Sequence, residues 1–369
     1  MKKIATILGL VIFFNFSTSQ TINVGSRSLL HTQTGRVLNK GALEAKTTMN
    51  FYTQLAEYLV TPPGATDQNM YLAAGNIVLS YGAFSNFDIT IAPRIYQDTH
   101  RGKKYNLPDD ILVSLKAGSF AFGGRKFYGS GMVNIRIPTA ETHNYPYLEY
   151  TSGALEYGLM TAFSYYTDPY LPDRSFSTHI NIGWYNHNEA GKDIYKGHKS
   201  EINSAELQFG LGLVYPVDLF DFMLEINGNN YLTEPDSFVF SRLNWLYVTP
   251  TIRYKPFNWM SLDIGMNIRA TASHTQEKVL QTNLRTPMYV PWRVQLGLNF
   301  KILPLPTGPG SPAEIEREQF KKRVDFFQSI IEERERVEEV QEELDQLKRE
   351  REKAEKELEE LKQILDEEG

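Results

Sequence analysis

Between residues 41 and 302 apolar side chains recur at every second position, in runs longer than the five or six residues usual for a soluble strand. The last run is the clearest. Trp292, Val294, Leu296, Leu298, Phe300 and Ile302 alternate with Arg293, Gln295, Gly297, Asn299 and Lys301. Phe176 to Tyr185 and Leu262 to Arg269 repeat the pattern. The alternation predicts strands over 41–58, 70–82, 87–98, 110–120, 127–138, 151–166, 175–188, 203–215, 219–232, 243–255, 258–271 and 290–302. The count is twelve, and short connections alternate with long polar ones. Pro93 and Pro250 fall inside two of these strands, where each deletes a ladder donor, so bulges or strand ends are expected there.

A soluble β-sandwich also alternates. The length of the runs, close to the 9–11 residues of a tilted membrane-spanning strand, and aromatics near the strand ends favour a membrane barrel. On the expected outer face, Tyr81, Tyr165, Phe176, Tyr215, Phe220, Tyr254 and Phe300 fall near the short-turn end, and Phe51, Tyr71, Trp184 and Trp292 near the long-loop end. Closure into a barrel would also pair every backbone group that faces hydrocarbon.

The first nineteen residues read as a cleavable signal peptide. Met1-Lys2-Lys3 is the positive start, Ile4 to Phe16 the apolar run, and Ser17-Thr18-Ser19 the small residues before cleavage. Residues 20–40 form a periplasmic N-terminal segment in this reading, and 41–302 the barrel. With the signal, the dyad repeat and the aromatic-ended strand Val294–Phe300, the chain resembles the bacterial outer-membrane β-barrel class. The resemblance is architectural and names no narrower family. It implies a 12-stranded antiparallel up-and-down barrel with both mature termini in the periplasm.

With the apolar side toward lipid, the other side becomes readable. It carries the acids Glu44, Asp88, Glu156, Glu206, Asp221, Glu225 and Asp263, and the bases Lys46, Arg94, Lys116, Arg136, Arg253, Arg269 and Arg293. A selective pore shows a ring of one sign. Balanced signs instead predict pairing across the lumen and a narrow or largely closed channel, since twelve strands enclose more room than eight and far less than sixteen. Ser177 and His179 share one face and superficially resemble a nucleophile and base, with Glu156 or Asp221 to complete them; a polar lumen lining is the preferred reading. His187 and His198, with Glu189 and Asp193, have ligand chemistry but are expected only to solvate. The absence of Cys removes disulfides, thiolate metal sites and Cys nucleophiles. No catalytic residue, metal or cofactor is expected, and no nucleic-acid partner.

Beyond the last strand the pattern changes. Pro304, Pro306, Gly308, Pro309, Gly310 and Pro312 form a break over 303–312, and a helix begins with Ser311 as its cap. From 313 to 368 the period becomes helical. Phe326, Ile330, Glu333, Val337, Val340, Leu344, Leu347, Arg351, Ala354, Leu358, Leu361 and Leu365 hold the seam of a heptad repeat, and Ile315, Phe320, Val324, Phe327 and Ile331 a second stripe. The whole chain has a formal charge of −6; residues 312–369 hold 21 acidic and 12 basic side chains, so the remainder carries +3. The acidity belongs to the tail. The expected function is a porin-like or narrow outer-membrane channel in contact with lipid, oligomerised or tethered to a periplasmic protein through the coiled coil. The alternative is a non-conducting anchor that holds a periplasmic partner or the cell wall.

Overall fold

A computed structural model describes residues 25–56, 68–99, 109–141, 143, 149–195, 197–237, 239, 241–271, 289–304 and 312–367. The expected signal peptide, much of the loops beginning at 57, 100 and 272, and the cap Ser311 lie outside the described residues. The chain forms two separate units, divided between Pro309 and Gly310.

The first unit contains strands β1 (Leu43–Ala56), β2 (Gln68–Phe84), β3 (Phe87–Thr99), β4 (Ile111–Phe122), β5 (Phe127–Ile137), β6 (Glu156–Tyr166) and β7 (Ser177–Asn186). After a small hairpin of β8 (Asp193–Tyr195) and β9 (His198–Lys199) follow β10 (Ala205–Val217), β11 (Phe220–Thr233), β12 (Trp245–Phe257), β13 (Met260–Arg269) and β14 (Trp292–Leu303). Apart from the hairpin, these twelve strands close into one antiparallel barrel in sequence order. The seam pairs β1 with β14, and Leu43 opposite Leu303 brings the chain in and out at the same end. The expected strands all form, with ends moved by a few residues. The hairpin sits in the loop after β7 and carried no alternation long enough to announce it.

Alternation sorts the side chains into two faces. Met49, Leu296, Ile264, Ile252 and Phe222 are consecutive cross-strand neighbours, each 43–52% exposed on the isolated chain. On the opposite parity Asp88, Glu156, Glu225 and Asp263 are 0% exposed. Charge inside and large apolar groups outside is the arrangement a hydrocarbon surround requires, and it inverts that of a soluble protein. Aromatic contacts decorate the turn end: Phe127 lies 5.0 Å from Tyr165, Phe220 5.0 Å from Tyr254, and Phe257 5.2 Å from Trp259. At the other end Trp292 departs from expectation, because it packs edge-on at 5.3 Å against the interior Tyr52.

The two prolines act differently. Pairing between β3 and β4 ends at Pro93, so this proline marks a strand end on that side. At Pro250 no bulge forms. The β12–β13 ladder breaks between Val248 and Thr251 and resumes in the same register, while Pro250 keeps its partner Leu224 on β11.

The second unit is helix α1 (Pro312–Glu367), 56 residues long and therefore about 84 Å at 1.5 Å per residue. Of the expected seam, Val337, Val340, Leu344 and Leu347 are 49–65% exposed. Arg351 donates to Glu355 one turn on, at 2.9 Å.

The outward register predicts an asymmetry. Leu296→Arg puts a cation against lipid at a cost of about 2–4 kcal/mol. Asn299→Arg falls on the inner face beside Asp263, whose carboxylate accepts from Asn299 at 3.1 Å. Heat-modifiable gel migration should report severe loss of assembly for the first variant and near-normal assembly for the second.

Candidate functional site: a filled lumen

The lumen holds a piece of the same chain. Sequence reading assigned residues 20–40 to a segment separate from the barrel; the described part, from Gly25 onward, runs inside the barrel at the turn end, with Leu29, Val37 and Leu38 at most 4% exposed and Thr32 and Gln33 at 0%. Such a segment, neither helix nor ladder strand, leaves most of its backbone groups without internal partners; the turn in which the Leu29 N–H donates to the Thr32 carbonyl at 2.9 Å pairs two of them. Buried backbone groups need partners, and the barrel wall supplies them.

Glu225 on β11 accepts the backbone N–H of Leu30 at 2.9 Å, His31 at 2.8 Å and Thr32 at 2.7 Å. Asn181 on β7 accepts the Gln33 N–H at 2.6 Å and donates to the Gln33 carbonyl at 2.8 Å, as a strand neighbour would. Ser164 on β6 accepts from Gly35 N–H at 2.7 Å, Ser119 on β4 from Val37 N–H at 2.9 Å, and Asp88 on β3 from Leu38 N–H at 2.9 Å. The bases take the carbonyls. Lys116 donates to Ser26 at 3.1 Å, Lys46 to Leu29 at 2.5 Å, and Arg253 to Ser28 at 3.5 Å. Direct side-chain contacts join Ser26 to Asp88, His31 to Asn267, and Lys46 to the Ser28 hydroxyl at 3.4 Å.

Two glycines make room. A Cβ on Gly35 would lie 2.2 Å from the Tyr128 carbonyl oxygen of β5, and one on Gly212 of β10 would lie 2.5 Å from Leu29 Cδ1. At the turn end Arg36 lies 5.6 Å from the ring centre of Tyr166, 5.7 Å from that of Tyr128, and 2.6 Å from Asp173.

The loop end carries a second layer. Glu156 meets Arg136 and His187, each at 3.4 Å, the Tyr185 hydroxyl at 3.2 Å and the Ser152 N–H at 2.7 Å. Arg136 also meets Asp110 at 3.4 Å, while Arg94 is held by Asp109 at 3.4 Å and Glu149 at 3.3 Å. Beside them Tyr52, Leu72, Ala74, Trp245, Tyr247, Tyr289 and Val290 form an apolar cluster.

The fourteen charged residues therefore do not chiefly pair across the lumen. Arg253 pairs with Asp263 on the adjacent strand at 2.7 Å, and Asp221 with Lys255. Glu225, Asp88, Lys46 and Lys116 serve the internal segment, and Arg136, Arg94, Glu156 and Glu206 the loop layer. Arg269 reaches the Tyr289 carbonyl. Arg293, second residue of β14, is 1% exposed, and Glu44 shares the inward parity of Lys46. The cause of the misjudgement is length. Side chains reach a filler or a neighbouring strand more easily than the far wall.

Ser177 and His179 do meet, at 3.1 Å, but neither expected carboxylate joins them. Ser164 occupies the other ring nitrogen at 2.7 Å. This chain of hydrogen bonds ends on the Gly35 N–H, which assigns it a role in holding the internal segment. His187 does not point to solvent as expected; it is 3% exposed, with Glu156 at 3.4 Å and Glu206 at 4.0 Å, whereas His198 is exposed on β9. Among the described residues no group of His, Asp and Glu is disposed to hold a metal ion. Sequence reading missed Asn181, Ser164 and Ser119 because it counted charges only. Inward parity was the signal available for Asn181 and Ser164; Ser119 has outward parity and is turned inward by the bulge between Ala117 and Phe120.

No protein-family profile matches the sequence, and no curated relative does. Solved structures similar to the barrel include an outer membrane channel from Pseudomonas putida F1, at 10% identity over 73% of this chain and 98% of that one, TM-score 0.44. The NanC porin is similar at 9% identity over 70% and 100%, TM-score 0.45. The translocator domain of the autotransporter NalP from Neisseria meningitidis is similar at 10% identity over 70% and 88%, TM-score 0.36.

Burial alone would lower the His187 pKa, but Glu156 first and Glu206 second outweigh it and push it up to about 10. A folded pKa above the ordinary 6.5 gives stability that is complete below about pH 6.5 and is lost as pH rises through about 10. Imidazole NMR in detergent should therefore find His187 still protonated at about pH 8, and Glu156→Gln should bring its midpoint down. A wild-type midpoint at or below the ordinary value would reject this arrangement.

Proposed function

We propose that the protein is a porin-like outer-membrane channel that rests closed, stoppered by residues 25–38 of its own chain. The observation that carries this reading is the chemistry of the wall around the stopper. Carboxylates, amides, hydroxyls and ammonium groups hold it, and each can be hydrated once the segment moves away. A lumen built only to be filled would be better served by interdigitating apolar side chains, as in the cores of small barrels. In this reading the N-terminus is exported and processed, both mature termini lie in the periplasm, and lipid surrounds the outer face.

A second reading, the silent anchor, is favoured by the loop layer, because Arg136, Glu156 and His187 cross-link that end of the lumen independently of the stopper. Planar-bilayer conductance separates the two. The wild-type protein should conduct little. Gly35→Val, whose side chain cannot fit against the Tyr128 carbonyl, should unseat the segment and produce sustained conductance. A folded, unseated and silent variant would support the anchor.

We further propose that α1 associates, with a second copy or with a periplasmic protein, through the seam that includes Val337, Val340, Leu344 and Leu347. Asp at both Leu344 and Leu347 should abolish crosslinked species of the detergent-extracted protein while leaving heat-modifiable barrel folding unchanged. Continued crosslinking would exclude this seam as the contact.

A further inference from the structure

The bonds that hold the internal segment fall mainly on its backbone. The barrel takes the N–H groups of Leu30, His31, Thr32, Gln33, Gly35, Val37 and Leu38, and gives donors to the carbonyls of Ser26, Ser28, Leu29 and Gln33. Of the segment's side chains, Ser26, Ser28 and His31 make direct polar contacts with the wall inside the lumen. Donors of the wall hold the carbonyls of the segment's first part, Ser26 to Leu29, and acceptors take the N–H groups of its second, Leu30 to Leu38, on either side of a turn in which the Leu29 N–H donates to the Thr32 carbonyl at 2.9 Å. Carboxylates Glu225 and Asp88 stand opposite N–H groups, and Lys116, Lys46 and Arg253 stand opposite carbonyls. Glu225 is 0% exposed and takes three consecutive N–H groups, a built anion-to-backbone clasp.

A wall that reads backbone is tolerant of sequence, because every residue except proline presents the same two groups. We infer that the turn-end lumen is a binding site for a polypeptide segment that turns as residues 28–33 do, where Ser28 bridges Gln33, with residues 25–38 as its resident occupant, and that it accepts a peptide in trans when the resident is unseated. This inference rests on the closed-channel reading for its setting but not for its test, which measures binding rather than current. Three features bound the ligand. It needs small or absent side chains where Gly35 meets Tyr128, apolar groups of leucine size where Leu29 and Leu38 are buried, and free N–H groups opposite Glu225.

The experiment uses the full-length Gly35→Val protein in detergent. Trypsin cleavage after Arg36 reports that the segment is unseated, and heat-modifiable migration reports that the barrel is folded. Gln33→Pro, which deletes the N–H that Asn181 accepts, serves where Gly35→Val does not assemble. A fluorescent peptide of wild-type sequence 25–40 is then titrated by anisotropy. It should bind the unseated variant and bind the wild type far more weakly, because there the site is occupied. A peptide with its polar side chains permuted, and its Gly, Leu and Val kept in place, should bind within about tenfold of the wild-type peptide. N-methylation at His31 and Thr32, which removes two N–H groups and alters no side chain, should weaken binding by about tenfold or more, as should Glu225→Gln in the protein. Failure of a folded, unseated variant to take the wild-type peptide overturns the inference. So does the reverse ranking, in which permutation abolishes binding and N-methylation does not. A variant that conducts but takes no peptide sinks this inference alone; one that takes peptide but stays silent sinks the channel reading alone.

Discussion

A backbone N–H or C=O in a medium without water must find a partner within the protein, and both surfaces of this barrel follow from that requirement. Toward lipid it is met by closure. β1 pairs with β14 as well as β2, so no strand edge remains open. Toward the lumen it is met in the opposite way. The segment that enters there brings a backbone with no ladder of its own, and wall side chains substitute for the missing strand. Asn181, which both accepts from and donates to Gln33, does so most literally.

This explains why the charges are numerous yet balanced. A ring of one sign would select ions, but a polypeptide backbone offers equal numbers of donors and acceptors and calls for both signs in the wall. Carboxylates meet N–H groups and ammonium groups meet carbonyls, each bond being charge-assisted and stronger than a neutral pair. Removing Glu225 would therefore leave three buried N–H groups unsatisfied at once. Desolvation of each such group costs about 1–3 kcal/mol. By contrast Arg36 meets an Asp173 side chain that is 69% exposed, a pair that solvent screens and that closes the stopper's rim more than it stabilises the fold.

How much of this could be read from the sequence follows from the range of the forces involved. Strand positions were legible because the dyad repeat is local: each of the twelve runs shows its own lipid face, as Leu296 and Leu298 do. The closing of the lumen was legible only in outline. Charge balance announced a narrow interior, but nothing local in residues 25–38 marks them as its occupant, because their partners lie as far off as Asn267 on β13, 236 residues from His31. His187 illustrates the same limit. A histidine in a long loop reads as solvated, and only the fold brings Glu156 to it from another loop's edge. Uncharged polar residues were the partly recoverable loss: Asn181 and Ser164 lie on the inward parity, and a census of that face by hydrogen-bonding capacity rather than charge would have included them, whereas Ser119 has the outward parity of Leu115 and turns inward through the bulge between Ala117 and Phe120.

The helix obeys a different constraint. Its backbone is satisfied internally, so nothing about hydrogen bonding requires it to touch anything. What it lacks is cover for apolar surface. Exposed Leu296 on the barrel is explained by lipid, whereas Leu347, 65% exposed on α1, is not, because the helix is too charged to enter a membrane and no span of it is apolar enough to cross one. Burial of apolar area yields roughly 25 cal/mol per Å², and a seam repeated at heptad spacing from Val337 to Leu347 presents that area as a continuous line. A line of this kind is matched by another helix with the same repeat more readily than by a flat or irregular surface. On the proposed reading the two units present apolar surface outward for separate reasons: the barrel to meet lipid, the helix to meet protein.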